Sequence, residues 1–248
     1  MTSALVILPT YNERENLETI VRRVLDADSR ISVLVVDDAS PDGTGEIADA
    51  LAARDERVTV LHRAGKLGLG SAYLEGFDIA IARGFDYALE FDADGSHPAD
   101  RLPACLDALD DGADLAIGTR WMPGGRTENW PLHRQLISRG AALYTRALLR
   151  SELRDPTAGF RGYRTSTLAE VDLSDVRSAG YCFQIETAWM LERRGYDVVE
   201  FPITFIEREL GASKMSLGIV IEALWRVLAW GVGSRLADVD RLTRGARA

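Results

Sequence analysis

Through the first half of the chain, short runs of aliphatic and β-branched residues alternate with stretches whose apolar positions recur every three or four residues. The runs Ala4–Leu8, Ser32–Val36, Val58–Leu61, Tyr87–Phe91 and Leu115–Gly118 predict strands. Between the first two, Leu17, Ile20, Val21, Val24 and Leu25 share one face of a predicted helix, with Thr10 or Asn12 as its cap. Further helices are predicted over Gly45–Ala53, Ser71–Ala82 and Ala99–Leu109. Such alternation implies an α/β domain built on a mostly parallel sheet flanked by helices.

After Gly118 the regularity fades. The pattern then predicts a long helix over Leu132–Leu149, a turn-rich stretch at Asp155–Gly159, a helix near Phe183–Arg194 and a strand near Val198–Phe205. An apolar helix follows over about Leu217–Val232. The expected layout is a catalytic domain over 1–214, an amphipathic interface helix over 215–234 and a polar tail over 235–248 whose order is left open.

Polar residues collect where three of the strands end: Pro9-Thr10-Tyr11-Asn12-Glu13, Asp37-Asp38-Ala39-Ser40-Pro41-Asp42-Gly43, and Asp92-Ala93-Asp94. Open α/β sheets bind ligands at the carboxyl ends of their strands, so the shared edge is the predicted site. Asp92 and Asp94, two residues apart, can converge on one cation. Hard oxygen donors at this spacing suit Mg²⁺ or Mn²⁺, which keep positions for water and substrate phosphates. Capping of the next helix would use the same residues. His97, before a proline, is read as structural and left out of the metal shell.

A formal net charge of −9 argues against a nucleic-acid binder. Any surface for anions must be local, and one exists: from Arg120 to Arg164 there are nine arginines against Glu128, Glu152 and Asp155, with no lysine. Arginine used in this way suits planar recognition of phosphate or carboxylate, although a solvated basic face has the same composition. Two cysteines give no disulfide framework, the start lacks the pattern of a secretory signal, and no segment has the apolar length of a membrane span. A cytoplasmic location is expected.

The helix over Leu132–Leu149 carries Arg134 and Ser138 one turn apart, with Arg139, Arg146 and Arg150 on a second stripe. The helix from Leu217 is apolar around most of its circumference, with Glu222 and Arg226 on one edge and Trp225 and Trp230 as candidate interface anchors. Burial against the domain would use the same apolar surface. The glycine-rich Gly65–Ser71 matches neither the dinucleotide fingerprint nor the P-loop and is read as a tight loop.

Taken with Gly118-Thr119-Arg120, Asp155-Pro156-Thr157-Ala158-Gly159-Phe160-Arg161, Gly180-Tyr181-Cys182-Phe183-Gln184-Ile185-Glu186 and Glu207-Arg208-Glu209-Leu210-Gly211-Ala212-Ser213-Lys214, these strand ends make a series that resembles the polyprenol (dolichol) phosphate mannosyltransferases. Those enzymes are inverting glycosyltransferases of family 2 with the GT-A fold. The resemblance implies transfer of mannose from GDP-mannose to a polyprenyl monophosphate. It implies a nucleotide site lined by Pro9, Tyr11, Glu13, Val36 and Asp38, with Asp92, Ala93 and Asp94 under the diphosphate. Arg120, Arg134 and Ser138 would receive the acceptor phosphate, while Arg208 and Lys214 would close over the donor diphosphate. Asp94, Arg120, Arg208 and Lys214 are thus the expected catalytic set.

Two departures stand out. Many members have Gln where this chain has Ser96, so a serine hydroxyl or a bridging water would complete the metal shell of Asp92 and Asp94. The transmembrane tail of some relatives is missing here, so attachment to the cytoplasmic face of a membrane would rest on amphipathic helices or on a separate anchoring protein. Three alternatives compete: a UDP-glucose-dependent glucosyltransferase, a non-catalytic sugar-nucleotide binder, and a phosphatase of haloacid-dehalogenase type with Asp92 as nucleophile and Asp94 as acid/base.

Overall fold

In the computed structural model, which describes residues 2–171, 173, 176, 181–207 and 217–245, the chain runs through β1 (Ala4–Thr10), α1 (Leu17–Ala27), β2 (Ile31–Asp37), α2 (Thr44–Ala52), β3 (Val58–His62), α3 (Leu69–Ala82) and β4 (Tyr87–Glu90). There follow α4 (Leu102–Asp110), β5 (Leu115–Thr119), β6 (Arg126–Glu128), α5 (Leu132–Leu149), β7 (Arg161–Arg164) and α6 (Thr165–Glu170). The last elements are α7 (Tyr181–Arg194), β8 (Val198–Pro202), β9 (Thr204–Ile206) and α8 (Leu217–Gly245).

Seven strands form one sheet in the order β3-β2-β1-β4-β7-β5-β8. All neighbours are parallel except β7, which runs antiparallel between β4 and β5. A small parallel pair, β6 and β9, lies apart. The two-sided burial of a mostly parallel sheet explains its continuous apolar strands. In β1, Ala4, Val6 and Leu8 enter the layer shared with α1, α2 and α4, while Leu5 and Ile7 enter the layer shared with α3, α6 and α7. On that second side Gly76 permits a close approach: a Cβ there would lie 2.7 Å from Ile7 side-chain atoms.

β2 and β3 lie to one side of β1 and β4 to the other, so the direction of winding reverses between β1 and β4. That switch point opens a crevice at the carboxyl ends of both strands. The polar strand ends read from the sequence therefore meet at one edge.

Several expectations need correction. α1 begins at Leu17, not at Thr10 or Asn12, and its N-cap Asn16 makes no side-chain cap bond. Thr10 Oγ1 instead donates to Asp37, and Asn12 turns the chain with a φ of 60°. The strand foreseen near Val198–Phe205 is two strands, because β8 pairs with β5 and β9 with β6. The helix foreseen over Ala99–Leu109 opens with a 3₁₀ turn, Ala99–Arg101, before α4. α8 does not stop at Val232 but runs to Gly245, helped by good helix formers such as Arg235, Leu236, Arg241 and Leu242 in the residues that follow.

Candidate active site

The strand ends are fastened to one another by buried polar contacts. Asp37, 3% exposed, accepts hydrogen bonds from Thr10 Oγ1, Ser40 Oγ and the Ser40 N–H, which joins the ends of β1 and β2. The following loop is fixed by Asp42, whose carboxylate receives the Thr44 N–H and hydroxyl and the Arg14 N–H. Those bonds hold the carboxyl of Asp42 below its ordinary range despite its partial burial.

Of the residues expected to line the nucleotide site, Pro9 is the second-last residue of β1, and Val36 is buried near the end of β2. Tyr11 lies in the next turn with the Lys66 ammonium 4.1 Å from its ring centroid. Glu13 donates its N–H to Thr44 Oγ1 and accepts from Asn16 Nδ2. Asp38 has a second task. It pairs with Arg63 at 2.7 Å and accepts the N–H groups of Leu67 and Gly68, each at 3.1 Å, so it fixes the glycine-rich loop beside Tyr11.

Asp92 and Asp94 follow β4 at the switch point, with Ala93 buried between them. Asp92 accepts a hydrogen bond from Tyr73 OH at 3.3 Å, and Asp94 accepts the Ser96 N–H at 3.0 Å. Ser96 itself is 3% exposed, and its carbonyl receives the Ile206 N–H, which ties this turn to β9. Among the described residues no cluster of three His, Cys, Asp or Glu side chains is arranged to hold a metal. The donor set fits a hard divalent cation that takes its remaining ligands from water and diphosphate. Gly159 makes room here: a Cβ would lie 3.6 Å from Asp92 Oδ2 and 3.3 Å from the His97 ring.

His97, read from the sequence as structural and left out of the metal shell, touches Asp92 directly. Its Nδ1 accepts the Asp92 N–H at 3.1 Å, which leaves the ring proton on Nε2, 3.6 Å from Asp92 Oδ2. Edge contact with Phe91 and stacking on Phe160 lock the ring. Nothing in the sequence signalled Glu90, which is fully buried at the end of β4. Gln184 Nε2 donates to it at 2.6 Å, tying β4 to α7. Burial pushes its carboxyl up to about 7, against the opposing pull of the Arg161 guanidinium.

Arg120 does not stand ready as a mobile cation. Its Nε and one terminal nitrogen each donate to Asp155 at 2.7 Å, and Trp121, Trp130 and Phe205 surround the guanidinium at 5.1–5.4 Å. Asp155 is completely buried. Arg161, also completely buried, donates to the carbonyls of Pro156, Ala158 and Gln184, which shapes the same loop.

On α5, Arg134 donates to both oxygens of Glu207 at 2.7 Å. One turn on, the Ser138 hydroxyl is buried without a hydrogen-bond partner, as are the indole nitrogens of Trp121 and Trp130. Buried polar atoms rarely stay unsatisfied, so each of these donors can serve an acceptor-rich ligand. Arg208 and Lys214 lie outside the described residues.

A mostly parallel sheet with a carboxylate pair at its switch point and loops braced around the neighbouring strand ends is the arrangement of a nucleotide-sugar transferase. The chain belongs to glycosyl transferase family 2, whose model matches residues 5–172. It is 54% identical over 233 residues to the polyprenol monophosphomannose synthase of Mycolicibacterium smegmatis, covering 94% of this chain and 88% of that one. It is 52% identical over 231 residues to the undecaprenyl-phosphate mannosyltransferase of Micrococcus luteus, covering 93% and 95%. Among solved structures, glucosyl-3-phosphoglycerate synthase from Mycobacterium tuberculosis, in complex with Mn²⁺, uridine diphosphate and glucosyl-3-phosphoglycerate, shares the fold with a TM-score of 0.66. That match is 19% identical and covers 94% of this chain and 80% of that one.

Proposed function

We propose that this glycosyltransferase moves mannose from GDP-mannose to a polyprenyl monophosphate, with inversion at the sugar carbon, at a membrane surface on its cytoplasmic side. The observation that carries the reading is the placing of the Asp92/Asp94 pair and the unsatisfied donors Ser138, Trp121 and Trp130 in one chain, with two relatives above 50% identity named for mannosyl transfer to lipid phosphates or for its product.

The acceptor phosphate is already anionic at neutral pH, so the site needs no strong base. Its task is to desolvate that oxygen and aim it at the anomeric carbon. In this reading Arg134 and Ser138 receive the phosphate, and Arg120, clamped to Asp155, is the fixed positive floor beneath them. As the new C–O bond forms, the bond to GDP breaks and negative charge grows on the leaving diphosphate. Asp92 and Asp94 would hold Mg²⁺ or Mn²⁺, which when bound neutralises that charge. Arg208 and Lys214 are proposed to add positive charge from the other side. Tyr11 and the loop pinned by Asp38 would frame the nucleoside.

The membrane contact is read from two neighbouring helices. Among the described residues no helix is long and apolar enough to cross a membrane. Yet α8 exposes Ile221, Trp225, Val232 and Leu236 along one stripe, while Val227 and Trp230 on another side pack against α7 and α5. An exposed apolar ridge with a tryptophan suits shallow insertion among headgroups.

Donor competition tests the reading. GDP-mannose and UDP-glucose are offered together with a polyprenyl phosphate, with Mn²⁺, with Mg²⁺ and with a chelator. Metal-dependent formation of the mannosyl lipid is expected. A glucosyl product, or mannosyl lipid at full rate in chelator, overturns it.

A further inference from the structure

The arginines of α5 divide into two sets. Arg134 meets Glu207 and the Trp130 ring and the Ser138 hydroxyl is buried, whereas Arg139 and Arg146 are exposed and, among the described residues, make no ion pair or hydrogen bond. Arg139 lies only against the Trp121 ring, 4.5 Å from its centroid. Successive positions 132, 136, 139, 143 and 146 fall on one stripe of a helix. Here that stripe reads Leu132, Leu136, Arg139, Leu143, Arg146, with the three leucines 61–69% exposed.

Beside the stripe is a cleft of about 470 Å³, lined by Arg120, Trp121, Arg139, Leu143, Arg146 and Arg154, the last also 3.8 Å from the Glu200 carboxylate. Its cations are arginines and its walls carry aromatic and aliphatic carbon. A chain of net charge −9 has no general attraction to an anionic surface, so a local basic face must supply it. Arginines interleaved with exposed leucines on a helix, next to a second helix with an exposed apolar ridge, match the boundary between phosphate headgroups and acyl chains.

The geometry points to a headgroup-binding site: the cleft between α5 and the 120–125 turn receives the phosphate of an anionic membrane phospholipid through Arg139, Arg146 and Arg154. It adjoins the place proposed for the reacting acceptor phosphate and shares Arg120 and Trp121 with it, but its own cations Arg139, Arg146 and Arg154 are not part of that place. The inference rests on the membrane-surface reading above, but not on the identity of the sugar or of the acceptor. The site docks the enzyme and orients α5 so that an acceptor phosphate held in the same headgroup plane is presented to Arg134 and Ser138.

The full-length protein, without donor or acceptor, is sedimented with vesicles of phosphatidylcholine alone or with phosphatidylglycerol added. The R139Q/R146Q variant should lose the preference for phosphatidylglycerol, binding those vesicles about thirtyfold more weakly at low salt, since each cation near such a surface contributes on the order of 1 kcal/mol. R139K/R146K, which keeps the charge, should bind as the parent does. Turnover of R139Q/R146Q on a short-chain, water-soluble polyprenyl phosphate should stay within about twofold, which also shows that the variant is folded.

Unchanged vesicle binding by R139Q/R146Q overturns the site. So does a collapse of turnover on the soluble acceptor, which would assign these arginines to the acceptor phosphate. Equal displacement from vesicles by millimolar inorganic phosphate and by phosphatidylglycerol micelles would mark a site for free phosphate, not for lipid. If the protein makes glucosyl lipid or no lipid product yet shows the charge-dependent vesicle binding, the docking site stands and the catalytic proposal falls.

Discussion

His97 grips Asp92 at two points: Nδ1 takes the backbone N–H at 3.1 Å, and Nε2 faces the carboxylate at 3.6 Å. A carboxylate meant for a cation gains from a partner that fixes its rotamer. His97→Ala should weaken Mn²⁺ binding by roughly tenfold to a hundredfold, read by the free-ion paramagnetic resonance signal, with the fold retained. His97→Asn, whose side-chain carbonyl can accept the same N–H, should recover part of the loss. Equal Mn²⁺ affinity in all three proteins would show that the contact is only packing.

Asp155 is buried beneath Arg120 and receives three of its hydrogen bonds. Removing one partner of a buried pair strands the other charge, at a cost of about 3–5 kcal/mol. Asp155→Ala should lower the urea midpoint accordingly, while Asp155→Asn, which still accepts hydrogen bonds, should lose less. A loss below about 1 kcal/mol for Asp155→Ala would mean that the guanidinium finds water or another acceptor.

At Gly76 the cost is steric. A methyl group there would sit 2.7 Å from Ile7, and relief requires α3 to lift from β1. Gly76→Ala should destabilise the protein by about 1–3 kcal/mol. Trimming the opposing side chain should offset this, so the Gly76→Ala/Ile7→Val double variant is expected to be more stable than Gly76→Ala alone in thermal unfolding. Additive losses would place the strain elsewhere.

The first half of the fold was legible because its strands are apolar runs and its helices repeat every three to four residues. The second half was not. β7 reads Arg161-Gly162-Tyr163-Arg164 and looks like a loop, yet it lies between β4 and β5. The buried Arg161 is tolerated because carbonyls of Pro156, Ala158 and Gln184 meet its guanidinium, a long-range arrangement with no local signal. The same applies to the site. Asp92 and Asp94 could be read from strand periodicity, and the polar strand ends from their position. That Asp38 is committed to Arg63, and Arg120 to Asp155, depends on partners 25 and 35 residues away.

Glu90 gives a pH dependence of definite sign. Its carboxyl titrates at about 7 in the folded protein, against 4.5 ordinarily, because burial disfavours the charged form. Across that window the folded state holds a proton that the unfolded chain has released. Its contribution to stability is therefore complete below about pH 4.5 and lost as pH rises toward about 7, on the order of 3 kcal/mol in all. In metal-free protein, Glu90→Gln should remove this slope, so its stability relative to the parent should grow from pH 5 to pH 8. A constant difference over that range would show that Glu90 is ionised throughout.

Arg134 and Glu207 form the last decisive pair. Arg134 donates to both Glu207 oxygens at 2.7 Å, and both side chains are about one-fifth exposed, at 22% and 21%. A phosphate arriving beside the unsatisfied Ser138 hydroxyl must compete with that carboxylate for the same guanidinium. Charge-assisted contacts of this kind contribute about 1.5–3 kcal/mol each, so the exchange is near balance and the carboxylate taxes acceptor binding. Glu207→Gln keeps the shape but removes the charge, and should lower the acceptor KM about fivefold to tenfold with the donor KM unchanged. Arg134→Gln should raise the acceptor KM by a similar or larger factor. If Glu207→Gln instead raised the acceptor KM, Glu207 would be holding Arg134 in its working position, and the balance between carboxylate and phosphate would be the wrong description of the pair.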